Sequence, residues 1–385
     1  MDSAILLEAV PIIQPAINLS AEQEEAKALI LKFVESPGDK REWRQGGFAG
    51  TGKTTEIKEL LKTLGFTCGV AAFTGKAVSV LRRKGVAQAQ TLHSMMYNVK
   101  TNPVTKKTTF ERKPALFYRC IIVDEASMVS TQLYNDLMSF GIPVIFFGDP
   151  AQLEPVGDNP NLMRQCDHTF THIHRQAEGN PILALATEIR EGRDRLPKGE
   201  WIGKSDDGTE KGRLKIQDNS KGLDITSFDM ILCSKNATRH SLNASRRAHD
   251  GYLSDGPEVG ESIICLANDS NQGMFNGLTT TIKRIEQRKE NRAAFDLVDD
   301  LGLEYHGIEA TTEFFGKNYV RPPGRNASLP FDWANALTVW KSQGSEWGNV
   351  LGVEERVYKV DHARLLYTML TRASRNMTVI RASKG

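Results

Sequence analysis

The chain has 385 residues, 40% of them hydrophobic and 25% charged, a balance that excludes collagen-like, disordered and disulfide-scaffold proteins and suits two or three domains. No apolar run approaches the ~18 residues of a membrane span, and Met1-Asp2-Ser3 carries no basic segment, so neither a membrane partner nor a signal peptide is expected. The net charge of +2 leaves any nucleic-acid argument to local residues, and five cysteines without a CxxC pair read as reduced thiols of a cytoplasmic protein.

Taken in chain order, residues 19–34 predict a helix, with Ser20 as N-cap and acidic residues in the first turn. A turn at 36–39 leads to a short strand, 42–45, that is unusually polar for a buried position. Residues 47–54 (GFAGTGKT) match G-x-x-x-x-G-K-[ST] at every required position. In this pattern glycines let backbone N–H groups turn toward phosphates, and the following helix adds its positive end. Here Gly47, Gly50, Thr51 and Gly52 would form the cradle and Lys53 would reach the β- and γ-phosphates. Thr54 would face Mg²⁺, beside Thr55. Ile57, Leu60, Leu61 and Leu64 continue the helix, and Gly65 stops it.

Apolar runs at 67–73, 120–124 and 143–147 predict strands of a parallel sheet. The second ends in Asp124 and Glu125, a pair suited to holding Mg²⁺ and to polarising the attacking water, respectively. Residues 98–114, polar and Thr/Lys-rich, predict a small inserted hairpin. Residues 192–222, rich in Gly, Asp and Lys, predict a connector between domains. A second α/β pattern begins at 230–233, residues 258–310 predict a small β module, and strands return at 335–340 and 349–353. A helix near 361–373 and a strand at 377–380 complete the pattern.

At Asp124-Glu125-Ala126-Ser127 the sequence resembles superfamily 1 helicases. Thr74-Gly75-Lys76-Ala77 resembles the family's motif Ia, Thr91-Leu92-His93-Ser94 motif Ib, residues 148–153 (GDPAQL) motif III, and His174-Arg175-Gln176 motif IV. Residues 341–346 (KSQGSE) resemble motif V and 367–373 (YTMLTRA) motif VI. The matches keep the family's order from residue 18 to 373, and the subset is similar to the RecD/Dda-like branch, with a compactness that resembles phage-encoded members.

The resemblance implies an α/β fold of two RecA-like P-loop NTPase domains, 1–178 and 179–250 with 325–385. It adds a β-hairpin insert at about 95–116 and an SH3-like β insert at 251–324. It implies an ATP- and Mg²⁺-dependent DNA helicase that moves 5′ to 3′ on single-stranded DNA and opens duplex junctions. The expected form is a monomer in the cytoplasm, with replication or repair proteins as further partners.

By matched position, Gln152 would contact the γ-phosphate, Arg175 and Arg372 would bring charge to it from opposite sides, and Glu346, beside Gly344, would meet the ribose. Gln23 would read the adenine edge, or is an ordinary helix-start glutamine. The implied DNA path touches Phe73, Thr74, Lys76, Thr91, His93, Asn236, Trp340, Lys341 and Ser342. Phe73 leans to stacking on a base and Trp340 to core packing. Arg239, Arg246 and Arg247 suit either DNA phosphates or a solvated helix face, and Lys106, Lys107, Arg112 and Lys113 share the ambiguity. Rival readings are an RNA translocase with the same motor and a P-loop switch or clamp that does not translocate. Cys166, His168, His172 and His174 crowd one strand without a second ligand arm, so a zinc site is not expected. Glu56 and Lys58 lie on the P-loop helix with no acidic strand beside them, which sets a nuclease aside.

Overall fold

The computed structural model describes residues 19–101, 108–154, 160–172, 179–267, 269, 272, 274, 276–299, 302–317 and 328–382. Helix α1 (Ala21–Glu35) opens on a reciprocal cap, in which the Ser20 hydroxyl accepts from the Gln23 N–H and the Gln23 side chain accepts from the Ser20 N–H. Its buried Ala26, Ile30 and Val34 repeat at helical spacing and pack with Ile57, Leu60 and Leu64 of α2 (Lys53–Leu64). Strand β1 (Glu42–Gly47) lies between them in sequence. Its polar half is accounted for by an Arg44–Glu42 ion pair at 2.7 Å and a hydroxyl donated by Tyr134 to Glu42 at 2.8 Å. Only its last three residues are buried.

The chain continues through β2 (Cys68–Ala72), α3 (Gly75–Arg83), β3 (Gln90–Thr91) and α4 (Leu92–Met96) to a hairpin, β4 (Tyr97–Thr101) with β5 (Thr108–Arg112). It then returns as β6 (Cys120–Asp124), α5 (Thr131–Met138), β7 (Val144–Gly148) and β8 (His168–Phe170). Six strands form a parallel sheet in the order β3-β2-β6-β7-β1-β8. Alternate residues of β6 face opposite layers: Cys120 and Ile122 pack toward α1, α2 and α3, and Ile121 and Val123 toward α4 and α5. The loops at the strands' carboxyl ends therefore carry the P-loop, Glu125 and the segment after β7, where ligands bind in open α/β sheets.

The second half starts with α6 (Pro181–Arg190), capped by Asn180 and led by a proline. Strands β9 (Gly199–Lys204) and β10 (Glu210–Gln217) follow as an antiparallel edge pair. This corrects the connector expected at 192–222: Gly212, Leu214 and Ile216 alternate inward within a polar stretch and join the sheet. Next come β11 (Met230–Cys233) and α7 (Asn236–His249). A closed barrel is built from β12 (Ser262–Cys265), β13 (Thr279–Lys289), β14 (Arg292–Asp299), β15 (Glu304–Thr311) and β16 (Leu329–Trp333). The barrel takes β16 from beyond residue 324, so its module extends further than the sequence reading has it. Strand β17 (Ala336–Thr338), β18 (Trp347–Val353), α8 (His362–Leu370) and β19 (Ala373–Ile380) complete a sheet of order β17-β11-β18-β19-β10-β9.

Two buried ion pairs join the barrel to α7. Arg239 donates to Asp332 of β16, both almost fully buried, and Arg247 donates to Glu261 while lying 4.1 Å over the Trp333 ring. Arg246 bonds Asp250 at 2.8 Å and the carbonyls of Ile225 and Phe228 at 3.0 Å. Arg239 and Arg247 are thus buried in ion pairs and do not form a solvated face, whereas half-buried Arg246 pairs on the helix surface.

Candidate nucleotide and nucleic-acid site

The P-loop turns on Gly50 and Gly52, whose φ values of +80° and +81° lie in the left-handed region that side chains disfavour. A Cβ on Gly47 would fall 2.8 Å from Lys53 Cγ and 2.9 Å from Thr51 Oγ1, so the loop closes only around glycine. The Lys53 ammonium donates to the carbonyls of Gly47 at 2.6 Å and Phe48 at 3.2 Å, folded back over its own loop. Thr51 is buried and donates to the Phe48 carbonyl at 2.8 Å. Thr54 and Thr55 are half-buried in the first turn of α2, where the N–H groups at a helix start point toward the loop. Gln23 bonds the carbonyls of Thr51 and Gly52 at 3.4 Å, so it ties α1 to the loop besides capping its own helix.

At the end of β6, Asp124 accepts the Glu125 N–H at 2.9 Å. Burial, and then the charge of Glu125, push its carboxyl up to about 6. Glu125 itself has φ +53°, a left-handed conformation that costs a non-glycine residue about 1–3 kcal/mol. Strain of this kind concentrates at functional sites. Beyond β7, Gln152 is buried and its Oε1 has no hydrogen-bond partner among the described residues. On the facing half, Arg372 is buried and donates to the carbonyls of Ser345 and Thr368 at 3.1 Å. Gly344 has φ +72°, and Glu346 is exposed. Arg175 and its neighbours in motif IV lie outside the described residues.

The residues assigned to DNA divide. Thr74 and Thr91 are N-caps, accepting from Ala77 and Ser94 at 3.1 and 3.2 Å. Half-buried Phe73 packs on the core between α4 and α5, as half-buried Trp340 does on the core under α8. His93 is half-buried, with burial lowering its ring's proton affinity, and Asn236 is exposed at the start of α7. Lys341 is pushed down to about 8, first by burial and then by the nearby Arg239 charge. Two assignments are corrected for this conformation. The Ser342 hydroxyl is fully buried and donates to the Val339 carbonyl at 2.8 Å. The Lys76 ammonium is buried, bonds Thr279 of the barrel at 3.0 Å and lies 4.4 Å from the Trp347 ring centroid.

A family model described as an AAA domain matches residues 18–213, and a UvrD-like helicase C-terminal domain matches residues 334–380. The ATP-dependent RecD2 DNA helicase of Deinococcus radiodurans is 27% identical over 352 residues. The chain belongs to the superfamily 1 helicases of the RecD-like kind. The match to the Deinococcus protein covers 85% of this chain but only 45% of that relative. Among solved structures, a Bacteroides Pif1 helicase in complex with ADP-AlF3 and single-stranded DNA aligns with TM-score 0.54 at 19% identity. That alignment covers 94% of this chain and 92% of the other. Pif1 from Candida albicans aligns with TM-score 0.53 at 17% identity, over 95% of each chain. These likenesses establish the fold. No described helix is long and apolar enough to cross a membrane.

Several contacts in this RecD-like chain escape sequence reading. The Arg190 guanidinium of α6 lies 3.7 Å from the ring centroid of Phe48 in the P-loop. Leu153 donates its N–H to Thr368 Oγ1 at 2.9 Å, and its carbonyl accepts from Gln343 at 2.7 Å. Arg364 donates to the Gln152 carbonyl at 3.2 Å. Arg364, Tyr367 and Thr368 stand at i, i+3 and i+4 on α8, a spacing that marks one helix face. That periodicity is visible in the sequence, whereas what the face meets is not.

Proposed function

We propose that the chain is an ATP-driven motor that moves 5′ to 3′ on single-stranded DNA and opens duplex junctions. The observation that carries this reading is the grip of the second half on the nucleotide loops: Gln343, Arg364 and Thr368 hold the segment after β7, where a buried Gln152 Oε1 has no hydrogen-bond partner among the described residues. A hydrolytic site built across two halves makes chemistry depend on their approach.

The residues suit a magnesium nucleotide: the P-loop leaves a cradle that a Cβ on Gly47 would fill, and Asp124 carries a carboxyl whose charge is destabilised by burial and by Glu125. Mg²⁺ held by Thr54 and Asp124 would neutralise charge between the β- and γ-phosphates. Lys53 exchanges its loop carbonyls for phosphate oxygens. Glu125 orients the attacking water and accepts its proton. Gln152 meets the γ-phosphate, and Arg175 and Arg372 stabilise the charge that develops there, Arg372 only when the halves close. Arginines used this way contribute about 10³–10⁵ in rate.

The two RecA-like units, 1–178 and 179–250 with 325–385, alternate between closed and open states while Phe73, His93, Asn236 and Lys341 line the strand's path. The barrel is SH3-like, and the hairpin β4–β5 is a pin at the duplex junction. The motor works as a monomer in the cytoplasm, of a phage host or otherwise, beside replication or repair proteins. Partial duplexes with a 5′ or a 3′ single-stranded tail, with ATP, test the direction: only the 5′-tailed duplex should open. Equal opening of both, or stimulation of ATPase by RNA but not matched DNA, would overturn the reading.

A further inference from the structure

Tyr367 is one of the largest fully buried side chains of the protein, and its hydroxyl sits between two loops of the other half. It donates to Asp149 Oδ2 at 2.7 Å and accepts the Ala49 N–H at 2.9 Å. The polarity of this chain is fixed. Ala49 N–H can only donate, so the phenol proton points to Asp149, whose buried carboxylate also accepts the Ala151 N–H at 2.9 Å. Ala49 belongs to the P-loop, Asp149 begins the segment that holds Gln152, and Tyr367 lies on the helix that ends before Arg372. One oxygen thus joins the phosphate-binding backbone, the γ-phosphate segment and the arginine helix.

Neighbouring contacts keep that junction in register. Phe48 is covered by Arg190, and Leu153 is held by Thr368 on the next position of α8. A hydroxyl in this buried place offers both a donor and an acceptor, which phenylalanine cannot do.

We propose that Tyr367 is a positioning residue for ATP hydrolysis, its hydroxyl setting the P-loop and the Asp149 segment at the spacing from which Arg372 reaches the γ-phosphate. The inference rests on the ATPase reading above. It assigns to the tyrosine no proton transfer and no contact with nucleotide. Its effect is on the transition state, because a displaced loop still binds ATP but meets the arginine out of register.

Tyr367→Phe keeps the ring and removes both bonds. DNA-stimulated kcat should fall about ten- to hundredfold, the range expected when a buried donor and a buried carboxylate lose their partner. KM for ATP should move less than about threefold, since ground-state binding survives. Stoichiometric binding of a fluorescent ATP analogue verifies that the variant is folded. Asp149→Asn, which keeps size and one acceptor, gives a second perturbation of the same junction. Combined with Tyr367→Phe it should cost little more than the worse single change, because both break one unit. Unchanged kcat in Tyr367→Phe, a rise in KM alone, or full additivity of the pair would overturn the inference. Should the unaltered protein show no DNA-stimulated ATPase, the functional reading itself fails, a result separate from a normal Tyr367→Phe.

Discussion

The cleft between the two sheets and the junction between α7 and the barrel are both polar, yet they are built by opposite rules. At the junction, buried charges are paired and their spare lone pairs are used. Asp332 accepts from Arg239 and from the N–H groups of Gly316 and Trp333, and Glu261 from Arg247, the Glu258 N–H and the Trp333 indole. Across the cleft the bonds are mostly single contacts to backbone groups or hydroxyls, and Gln152 Oε1 finds no partner among the described residues. Breaking a buried ion pair costs about 3–5 kcal/mol, whereas an ordinary hydrogen bond contributes about 1 kcal/mol net. The barrel is therefore fastened to the second sheet as one body, and the cleft is held by the weaker set of contacts.

The largest effect that tests this contrast is at the cleft. Lys53→Ala should reduce ATP hydrolysis to background in a phosphate-release assay while nucleotide-free binding of single-stranded DNA, read by fluorescence anisotropy, stays intact. Loss of both would mean that the cleft and the DNA path are one surface. At the junction, Arg239→Ala should lower unfolding stability in urea by about 3–5 kcal/mol by leaving Asp332 buried and unpaired. Adding Asp332→Asn to Arg239→Met should recover most of that loss. A cost below about 1 kcal/mol for Arg239→Ala would make the junction as yielding as the cleft. The smallest effect concerns Lys76, which reaches from the first half to the barrel. Lys76→Met keeps the stem and should cost about 1 kcal/mol of stability through the lost ring and hydroxyl contacts, with DNA affinity unaltered. A slope of log affinity against log salt that became shallower by about 0.7 would instead assign Lys76 to a DNA phosphate.

Legibility in the sequence followed range. The P-loop, the acidic end of β6 and the arginine after α8 are written in contiguous residues, because backbone turns and strand ends impose local spacing. The two-sheet plan was legible for the same reason, from apolar runs alternating with helical periods. The partners of Arg239 and Lys76 were not, since they lie 93 and 203 residues away. Composition also misled: the lysines and glutamates of β9 and β10 hide the inward alternation of an edge pair, and β16 looks like the start of the returning sheet until the barrel claims it. Tyr367 stands in a recognisable stretch, but a buried phenol declares its partners only when two distant loops meet around it.

Gly344 carries one further consequence. With φ +72°, it turns bare backbone toward the other half, where an added Cβ would lie 3.2 Å from Thr74 Oγ1 and 3.4 Å from Ala77 Cβ. The two halves meet there as a plain bearing, with no glycine side chain seated in a socket. Under the proposed motor, sliding along such a surface would withdraw no rotamer at that point, so the resistance to a stroke would come from the hydrogen bonds around the bearing and not from the bearing itself.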